Sequence, residues 1–223
     1  MRMRLTLPVV LILVLGVTGC SDTGGGSPAS TEAAPASQAA GASQASLPVV
    51  LWPAPPNPME LTVAAGLEPA PKEFLTNHAH AHLDIFVDGK PIAVPAGIGI
   101  NTDDPEVRRF DEPDGSVGYG GIELCSSPCI SPLHTHDADG ILHTESANPE
   151  PNTLGQFFTE WDVALTETCV GEYCGPEPIA IYINGEPFSG DPRTIELTDR
   201  KQIAIVIGTP PAEIPSTADF SRV

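Results

Sequence analysis

Apolar and polar residues alternate along two stretches of this sequence, and each stretch surrounds a turn signal. His82 to Val94 alternates around Asp88-Gly89, and Ile179 to Phe188 alternates around Asn184-Gly185. Asp-Gly and Asn-Gly favour the two-residue type I′ turn, in which both central residues have positive φ. The pattern therefore predicts two β-hairpins.

The first hairpin has a defined register if the Asp-Gly pair forms its turn. Ile85 then pairs with Ile92 and Leu83 with Val94, so that the apolar residues share one face. The stretch from Ile85 to Ile92 also aligns with residues 181–188 of the second hairpin. The alignment indicates either an internal duplication or two hairpins that reached the same solution independently.

One helix and one further strand complete the predicted elements. Thr153 and Gln156 have the spacing of a capping box, in which each side chain bonds the other residue's backbone N–H. Apolar residues follow at helical spacing: Leu154, Phe157, Phe158, Trp161 and Leu165. Gln202 to Ile207 has the pattern of a buried strand, and no long β-α-β alternation is visible. We therefore expect a mainly β or α+β fold: one antiparallel, hairpin-rich domain with one capped helix.

The first twenty residues are typical of an export signal. Two arginines precede an apolar run from Leu5 to Gly19, which is shorter than the ~20 residues needed to span a bilayer. Val17 to Cys20 resembles the lipobox of bacterial lipoproteins, whose cysteine carries acyl chains such as palmitate and becomes the mature N-terminus. The resemblance implies a signal peptide over residues 1–19 and a lipid anchor at Cys20. The protein would then be held in the bacterial cell envelope, on the extracytoplasmic side of the membrane; an ordinary signal peptide is the alternative.

Composition divides the rest of the chain into four segments. Residues 20–46 comprise the lipidated cysteine and a flexible tether of mostly Ser, Ala, Gly, Gln, Pro and Thr, which has no apolar face to bury. Residues 47–71 contain closely spaced prolines and predict an extended arm, with Trp52 as its contact to the domain. The β-rich folded domain is expected over residues 72–209, followed by a C-terminal tail over residues 210–223.

The charge balance excludes one class of function. The chain has 10 Lys and Arg against 29 Asp and Glu, which gives a formal net charge of −19. Nucleic-acid binding needs a basic patch that neutralises phosphates, so no nucleic-acid partner is expected. The same balance argues against attachment to anionic lipids through basic side chains.

Four cysteines outside the lipobox indicate disulfides, because an even number in an exported chain favours pairing. Of the three possible connectivities, Cys125–Cys129 with Cys169–Cys174 is favoured because each pair brackets a short loop containing Pro or Gly. The alternative is a thiolate metal site. Cys125-Ser-Ser-Pro-Cys129, with a histidine downstream, resembles the copper motif of cytochrome-oxidase assembly chaperones. That family has a thioredoxin-like α/β fold, whose βαβ pattern is absent from this sequence.

The histidines carry the strongest functional signal. All six fall in two clusters, one of His78, His80 and His82 and one of His134, His136 and His143. Alternate residues of a strand share a face, so the first cluster places its imidazoles on the side opposite the apolar core residues. A single histidine on a strand is more often a surface or hydrogen-bonded residue than a ligand. Two His-x-His motifs are harder to explain in that way.

The second cluster surrounds another turn signal, Asp139-Gly140. A two-residue turn at this position pairs His136 with His143 and His134 with Glu145 across two strands. Cross-strand partners have Cβ atoms about 4.5–5.5 Å apart, so these side chains converge on one face of one hairpin. A register change of one residue would disperse them.

Imidazole and carboxylate groups in this arrangement predict a transition-metal site. They suit copper and zinc, and binding requires neutral imidazole, so affinity is expected to fall below the ordinary histidine pKa of about 6.5. Asp137 or Asp139 is expected to accept the second ring N–H of a ligand histidine. The predicted ligands are His134, His136, His143 and Glu145, joined by His78, His80 and His82 if both clusters form one site.

The second cluster and the helix start also resemble an uncharacterised family of bacterial secreted and lipoprotein domains. The resemblance rests on His134-Thr-His-Asp, Gly140, His143-Thr-Glu and Thr153-Leu-Gly-Gln-Phe-Phe, covers residues 78–208 and implies no activity.

Three functions stay open. The first is a metal-binding lipoprotein in copper or zinc storage, delivery or resistance. The second is a metal-dependent envelope enzyme, hydrolytic or oxygen-using, with Glu145 or Glu123 as its acid–base residue. The third is a surface interaction domain without a metal. No catalytic residue is assigned, and no particular protein partner is predicted.

Overall fold

One long strand, β1 (Asn77–Val87), forms the middle of the main sheet. The structure, a computed structural model, describes residues 48–176 and 178–223. Before β1 lies α1 (Pro58–Ala64). The later elements are β2 (Lys90–Ile92), β3 (Arg108–Asp111), β4 (Val117–Gly120), β5 (Leu133–His134), β6 (Ile141–Ser146), α2 (Leu154–Glu160), β7 (Cys169–Val170), β8 (Tyr173–Cys174), β9 (Ile179–Ile183), β10 (Glu186–Phe188), a 3₁₀ turn (Pro192–Thr194) and β11 (Gln202–Ile207).

The main sheet has seven strands, and β1 is hydrogen-bonded along both edges. Six strands follow the order β10-β9-β11-β1-β6-β5, and β2 pairs with β1 beside β6. β6 and β2 are antiparallel to the first and second parts of β1, whereas β11 lies parallel to it on the other edge. Two small antiparallel pairs, β3–β4 and β7–β8, lie outside this sheet. The predicted antiparallel, β-rich fold is therefore confirmed, and the parallel pairing of β1 with β11 is an addition to it.

Both predicted hairpins are present with the expected turns. Asp88 and Gly89 have φ of 48° and 75°, and Asn184 and Gly185 have φ of 52° and 82°. Positive φ at both central residues defines the type I′ turn. Ile85 pairs with Ile92 as predicted, while β2 ends there, so that Val94 follows the strand and is buried in the same apolar cluster as Leu83.

The core lies between α2 and one face of the main sheet. The capping box is present, because the Thr153 hydroxyl accepts the Gln156 backbone N–H and the Gln156 side chain accepts that of Thr153. The apolar residues predicted for the helix are all buried: Leu154, Phe157, Phe158, Trp161 and, beyond the helix end, Leu165. They share one cluster with Leu83 and Ile85 of β1 and with Ile203 and Ile205 of β11. The aromatic residues of this helix therefore form part of the core.

In the described part of the predicted extended arm, residues 48–71, seven residues are helical and not extended. They form α1, which begins at Pro58 after Asn57. Proline suits the first turn of a helix because its φ is fixed and its missing N–H would have no partner there. Trp52 contacts the domain as expected, since its ring lies 5.9 Å from that of Trp161, edge to face.

The C-terminal segment, residues 210–223, packs against the domain. Ile214 contacts a second apolar cluster, formed by Phe86, Ala204 and Val206 on the sheet face opposite α2. Farther along, Phe220 is buried, and Arg222 lies 2.9 Å from Glu112 and 3.5 Å from Asp137. The end of the chain is thereby held beside the loop that carries His136.

The two favoured disulfides, Cys125–Cys129 and Cys169–Cys174, are both present. The first is buried in a small apolar cluster that includes Ile130. Because its sulfur atoms are bonded to each other, they do not form the thiolate copper site considered as the alternative.

The predictions for the start of the chain lie outside the described residues. They are the signal peptide, the lipid anchor at Cys20 and the tether up to residue 46. In the part of the chain that the structure describes, neither helix is long and apolar enough to cross a membrane.

Candidate metal centre

Three neighbouring strands place histidines in one row across the main sheet. His80 of β1 pairs with His143 of β6, which pairs in turn with His134 of β5. In the next row, His78 of β1 pairs with Glu145 of β6. Directly paired residues project from the same side of a sheet, so all these side chains share the face opposite α2.

The alternation along β1 explains how one strand serves both the core and this face. Ala79 and Ala81 lie between the histidines and are buried on the core side. On the other side, His80 is half-buried and the His78 side chain is 44% exposed. The expectation that these histidines project away from the core is confirmed.

The predicted register of the second histidine cluster is wrong by two residues. His143 pairs with His134 and not with His136. Gly140 has a φ of 82°, but Asp139 is not among the residues with positive φ, so the pair does not form a type I′ turn. A shift of two residues leaves every side chain on its predicted face, whereas a shift of one would reverse it. The predicted ligands therefore still meet.

His136 reaches the row from the loop that follows β5. Its backbone carbonyl accepts the Tyr119 N–H at 3.0 Å, and its ring Nδ1 lies 2.7 Å from the Tyr119 carbonyl oxygen. These two contacts with β4 hold the ring beside His134 and His143, with centroid distances of 4.6 Å and 4.5 Å. The position of His136 thus depends on a strand outside the main sheet.

Backbone carbonyls fix the tautomers of His134 and His136. Nδ1 of His134 lies 2.9 Å from the Ser131 carbonyl oxygen, and Nδ1 of His136 makes the 2.7 Å contact with Tyr119. A carbonyl oxygen can only accept, so each Nδ1 must donate its proton. In the neutral ring, Nε2 then carries a free lone pair.

The carboxylates predicted for this orienting role do something else. Asp137 lies 3.5 Å from Arg222, and Asp139 accepts the backbone N–H of Ile141 at 3.0 Å. The expectation that either one accepts a ring N–H of a ligand histidine is therefore wrong. The backbone carbonyls of Ser131, before β5, and of Tyr119, in β4, orient the rings without a negative charge.

The free lone pairs of His134 and His136 are close together. Nε2 of His134 lies 3.1 Å from Nε2 of His136. Two neutral rings whose Nε2 atoms are both unprotonated cannot hydrogen-bond to each other, because neither supplies a proton. With metal–nitrogen bonds of about 2.0–2.1 Å, neighbouring ligand nitrogens in tetrahedral or square geometry are about 2.8–3.4 Å apart. The observed spacing is that of two ligands of one ion.

Burial favours the neutral form of these imidazoles. It lowers the pKa of His134 well below the ordinary value, and burial together with the charge of His143 lowers the pKa of His136. On β1, burial and the neighbouring His143 and His78 lower the pKa of His80 to about 4. The neutral form is the one that binds metals.

Glu145 is the buried carboxylate of the cluster, only 8% exposed. Its Oε1 lies 3.6 Å from Nδ1 of His143 and 3.5 Å from Nε2 of His78, which is longer than an ordinary hydrogen bond. Among the described residues, Glu145 Oε2 and His143 Nδ1 have no hydrogen-bond partner. Burial raises the pKa of this carboxyl, but the adjacent imidazoles, above all His143, outweigh burial and lower the pKa to about 2. The ionised carboxylate of Glu145 thus lies beside imidazole rings whose nitrogens can bind a metal.

Two overlapping groups of potential ligands result. In the first, the donor atoms of His134, His136, His143 and Glu145 all lie within 4.8 Å of one another. In the second, the donor atoms of His78, His80 and Glu145 meet the same limit. Three or four imidazole and carboxylate donors at this separation can hold a metal ion.

His82 was predicted with these ligands but joins neither group. Its Nε2 lies 2.9 Å from the Asp139 carbonyl oxygen, and its Nδ1 lies 3.5 Å from the Asp84 carboxylate. Farther along β1 than His80, it faces the loop before β6 and not the row of imidazoles.

Sequence reasoning missed Glu73, which precedes β1. Its Oε1 lies 3.8 Å from Nε2 of His136. Burial and the neighbouring charge of Glu145 raise the pKa of Glu73 to about 7. Residues before β1 show no periodic pattern, so no signal in the sequence indicates that this carboxyl reaches the cluster.

A cleft of about 470 Å³ adjoins the cluster. Glu145 lies in its wall together with Phe74, Pro132 and Asn152. The cleft gives small molecules a route to the Glu145 side of the cluster. Glu123, the other acid–base candidate, is exposed and belongs to neither ligand group.

No protein-family model, curated protein or solved structure matches this chain. Inference about its function therefore depends on the geometry and chemistry of the cluster itself.

Proposed function

We propose that this protein is a lipid-anchored protein of the bacterial cell envelope that binds a copper or zinc ion in storage, delivery or resistance. The ligands are His134, His136, His143 and Glu145. One observation carries the proposal: the 3.1 Å separation of the Nε2 atoms of His134 and His136, both of which have free lone pairs. The occupant that turns this repulsive arrangement into a favourable one is a cation.

The four donors are arranged before any ion arrives. His134, His143 and Glu145 lie on paired strands, and the His136 ring is held by two contacts with Tyr119. Little side-chain entropy is therefore lost on binding. The ordinary cost of burying a dication is offset by the buried carboxylate of Glu145.

The site has a complete set of four protein ligands, which favours a role in metal binding rather than in catalysis. Structural zinc sites are four-coordinate with protein donors, whereas catalytic sites have three protein ligands and an open position. Three imidazoles and one carboxylate fill four positions, and the donor types suit copper(II) as well as zinc.

The envelope location rests on the start of the chain and on the cysteines. The basic residues, apolar run and small residues before Cys20 occur in the order of a lipoprotein signal. Two disulfides in the folded domain suit an oxidising compartment outside the cytosol.

Metal titration of the purified protein tests the binding proposal. We expect one tightly bound equivalent of zinc(II) or copper(II) near pH 7, measured by competition with a chelator of known affinity. His136→Ala and His143→Ala should each lower the affinity more than about 100-fold, beyond the loss typical of groups that only orient a ligand. The double variant should be little worse than either single variant, because ligands of one ion are not additive.

His82→Ala is the matched control, since it removes an imidazole from the same sheet face but from neither ligand group. It should bind metal like the wild type. If the folded His136→Ala/His143→Ala variant, checked by circular dichroism, also binds like the wild type, the proposed site is wrong.

Membrane fractionation tests the anchor. Cys20→Ala should release the protein from the membrane fraction into the periplasm or medium, because no acyl chain can be attached to alanine. Unchanged fractionation would contradict the lipoprotein assignment.

A metal-dependent envelope enzyme is the second candidate, favoured by the cleft that has Glu145 in its wall. A small molecule in the cleft would have to displace the carboxylate or add a fifth ligand to the ion. Cobalt(II) substitution tests this, because azide added to an accessible ion shifts its visible spectrum. An unchanged spectrum would favour storage or delivery.

A further inference from the structure

The histidines of β1 face the proposed site but are not among its four ligands. His80 lies directly opposite His143, with ring centroids 4.7 Å apart, and His78 lies directly opposite Glu145. The rings of His78 and His80 are also 4.7 Å apart. The chain thus continues the row of imidazoles one strand beyond the first ligand group.

We propose that His78, His80 and Glu145 bind a second transition-metal ion, more weakly held, and that the Glu145 carboxylate bridges the two ions. This inference rests on the proposed function, because a bridge requires an ion at the first position. It assigns the β1 histidines to a position of their own rather than to an enlarged single site.

The bridge follows from the placement of one carboxylate between two sets of nitrogens. Oε1 of Glu145 lies 3.5 Å from Nε2 of His78 and 3.6 Å from Nδ1 of His143. Both ligand groups therefore include Glu145, and a carboxylate has two oxygens with which to contact two ions. The two ions of two-metal sites in proteins are typically about 3.5–4 Å apart.

A single ion cannot use all of these donors. Zinc in proteins is almost always four-coordinate in sites built from protein ligands, and the first group already supplies four donors. The remaining imidazoles of His78 and His80 then have a carboxylate in reach and no ion. A second position satisfies them without displacing any ligand of the first.

Charge nearby limits the repulsion between two dications. Glu73 lies 3.8 Å from His136, at the first position. Asp199 accepts the backbone N–H of His80 at 3.2 Å, although it is not a member of either ligand group and also lies 3.8 Å from Arg200. With Glu145 between them, each ion has at least one carboxylate close by, which offsets part of the Coulomb cost.

Exposure indicates that the second ion exchanges more readily. The His134 side chain is fully buried at the first position, whereas the His78 side chain is 44% exposed at the second. The second position also has three protein donors instead of four. We therefore expect at least about 10-fold weaker binding there and faster exchange with solvent, as suits an ion in transit.

Stoichiometry and spin coupling test the second position in the purified mature protein. Equilibrium dialysis against buffered zinc(II), followed by elemental analysis, should give two bound ions of different affinity for the wild type. The His78→Ala/His80→Ala variant should bind only the tighter ion, with its affinity changed less than about 10-fold. His82→Ala should still bind two.

Copper(II) gives an independent readout. With one equivalent, the electron paramagnetic resonance spectrum should be that of an isolated ion. With two equivalents, ions about 3.5–4 Å apart should broaden the signal or lower its intensity per ion through spin coupling. In His78→Ala/His80→Ala, excess copper should leave the spectrum of the bound ion unbroadened.

The outcomes separate this inference from the proposed function. A single tight ion in both the wild type and the His78→Ala/His80→Ala variant would overturn the second position and leave the first intact. Loss of the only bound ion in that variant would show one merged site, and would also overturn it. Two bound ions without spin coupling would contradict the Glu145 bridge. Absence of any tight ion in the folded wild type would overturn the proposed function itself.

Discussion

Among the residues that the structure describes, two glutamates are buried, and burial and neighbouring groups shift the pKa values of their carboxyls in opposite directions. Glu145 is 8% exposed and Glu160, the last residue of α2, is 0% exposed. Burial raises the pKa of Glu160 to about 8, whereas the imidazoles around Glu145 outweigh burial and lower its pKa to about 2. Burial without a charged or hydrogen-bonding partner favours the neutral carboxyl, whereas the imidazoles beside Glu145 keep its carboxyl ionised and available to a metal.

The carboxyl of Glu160 has surroundings that differ from those of Glu145. The hydroxyls of Ser131 and Thr62 lie near the Glu160 carboxyl, and no cationic side chain within the described ranges 48–176 and 178–223 contributes to its pKa. Thr62 donates its proton to the Pro58 carbonyl, whereas Ser131 accepts the Leu133 N–H and keeps its own hydroxyl proton. Among the described residues, neither oxygen of Glu160 has a hydrogen-bond partner. Burial, which raises the pKa of Glu160 to about 8, therefore favours its neutral form near pH 7.

The largest expected difference between the two carboxyls is in metal affinity. Glu145→Gln replaces an anionic donor with a neutral amide that barely differs in volume, so zinc(II) affinity at the first position should fall more than about 100-fold. Glu160→Gln is the matched control and should leave that affinity unchanged. Chelator competition measures both. Equal affinities in the two variants would mean that Glu145 is not a ligand.

The next largest effect is on stability, and it concerns Glu160. Its pKa is about 8 in the fold against an ordinary value of 4.5, so the unfolded chain loses the proton first as pH rises. The wild type therefore loses stability between pH 4.5 and 8, while Glu160→Gln does not. At pH 7 the variant should be more stable by about 3 kcal/mol. Urea unfolding of the metal-free proteins at pH 4 and pH 7 tests this.

Near pH 4 the two proteins should have similar free energies of unfolding, which serves as the internal control. If the Glu160→Gln variant is no more stable than the wild type at pH 7, then the carboxyl of Glu160 is ionised in the folded protein and is stabilised by another group.

The metal-free Glu145→Gln protein should change in the opposite direction. The pKa of Glu145 is about 2 in the fold against 4.5 ordinarily, so its ionised form contributes stability above pH 4.5, and that contribution is lost as pH falls toward 2. The variant should be less stable than the wild type at pH 7, and the two should converge in acid. We expect a smaller change than at Glu160, because Glu145 borders the cleft and water screens its charge. Thermal unfolding at pH 7 and pH 3 measures it.

Signals confined to a few adjacent residues predicted much of this fold. The Asp88-Gly89 and Asn184-Gly185 turns need only that both residues adopt positive φ, which Asp, Asn and Gly tolerate. The capping box of α2 needs only Thr153 and Gln156. The parallel pairing of β1 with β11 has no such signal, because it joins strands that are far apart in the chain.

Asp139-Gly140 shows where the same local rule fails. The two letters match Asp88-Gly89, yet Asp139 does not adopt positive φ. Distant contacts hold this loop instead: Gly140 accepts the Leu83 N–H at 2.9 Å, and the Asp139 carbonyl lies 2.9 Å from the His82 ring. The observed register of β5 and β6 differs from the predicted one by two residues. A shift by an even number of residues keeps each side chain on the same face of the sheet, so the predicted ligands still lie together.

The groups that support the ligands could not be predicted. The orienting carbonyls belong to Ser131 and Tyr119, and a backbone carbonyl is present at every residue. Glu73 reaches His136 from a segment without a repeating pattern. Side-chain chemistry and alternation predict which residues can bind a metal, while long-range packing decides which groups hold them in place.

The smallest expected effect concerns Asp137, a third carboxyl with an intermediate environment. Partial burial raises its pKa, but Arg222 lies 3.5 Å away and acts in the opposite direction. It contacts no ligand ring through a hydrogen bond in the described structure, because the His136 ring donates to Tyr119. Asp137→Asn should therefore lower zinc(II) affinity less than about 10-fold, whereas groups that orient a ligand typically account for 10–100-fold. The same chelator competition measures this loss, and Glu145→Gln gives the largest loss expected for a carboxylate of this site.

A loss of 10–100-fold in Asp137→Asn would mean that the Tyr119 carbonyl does not suffice to orient His136, and that the Asp137 carboxylate also supports metal binding.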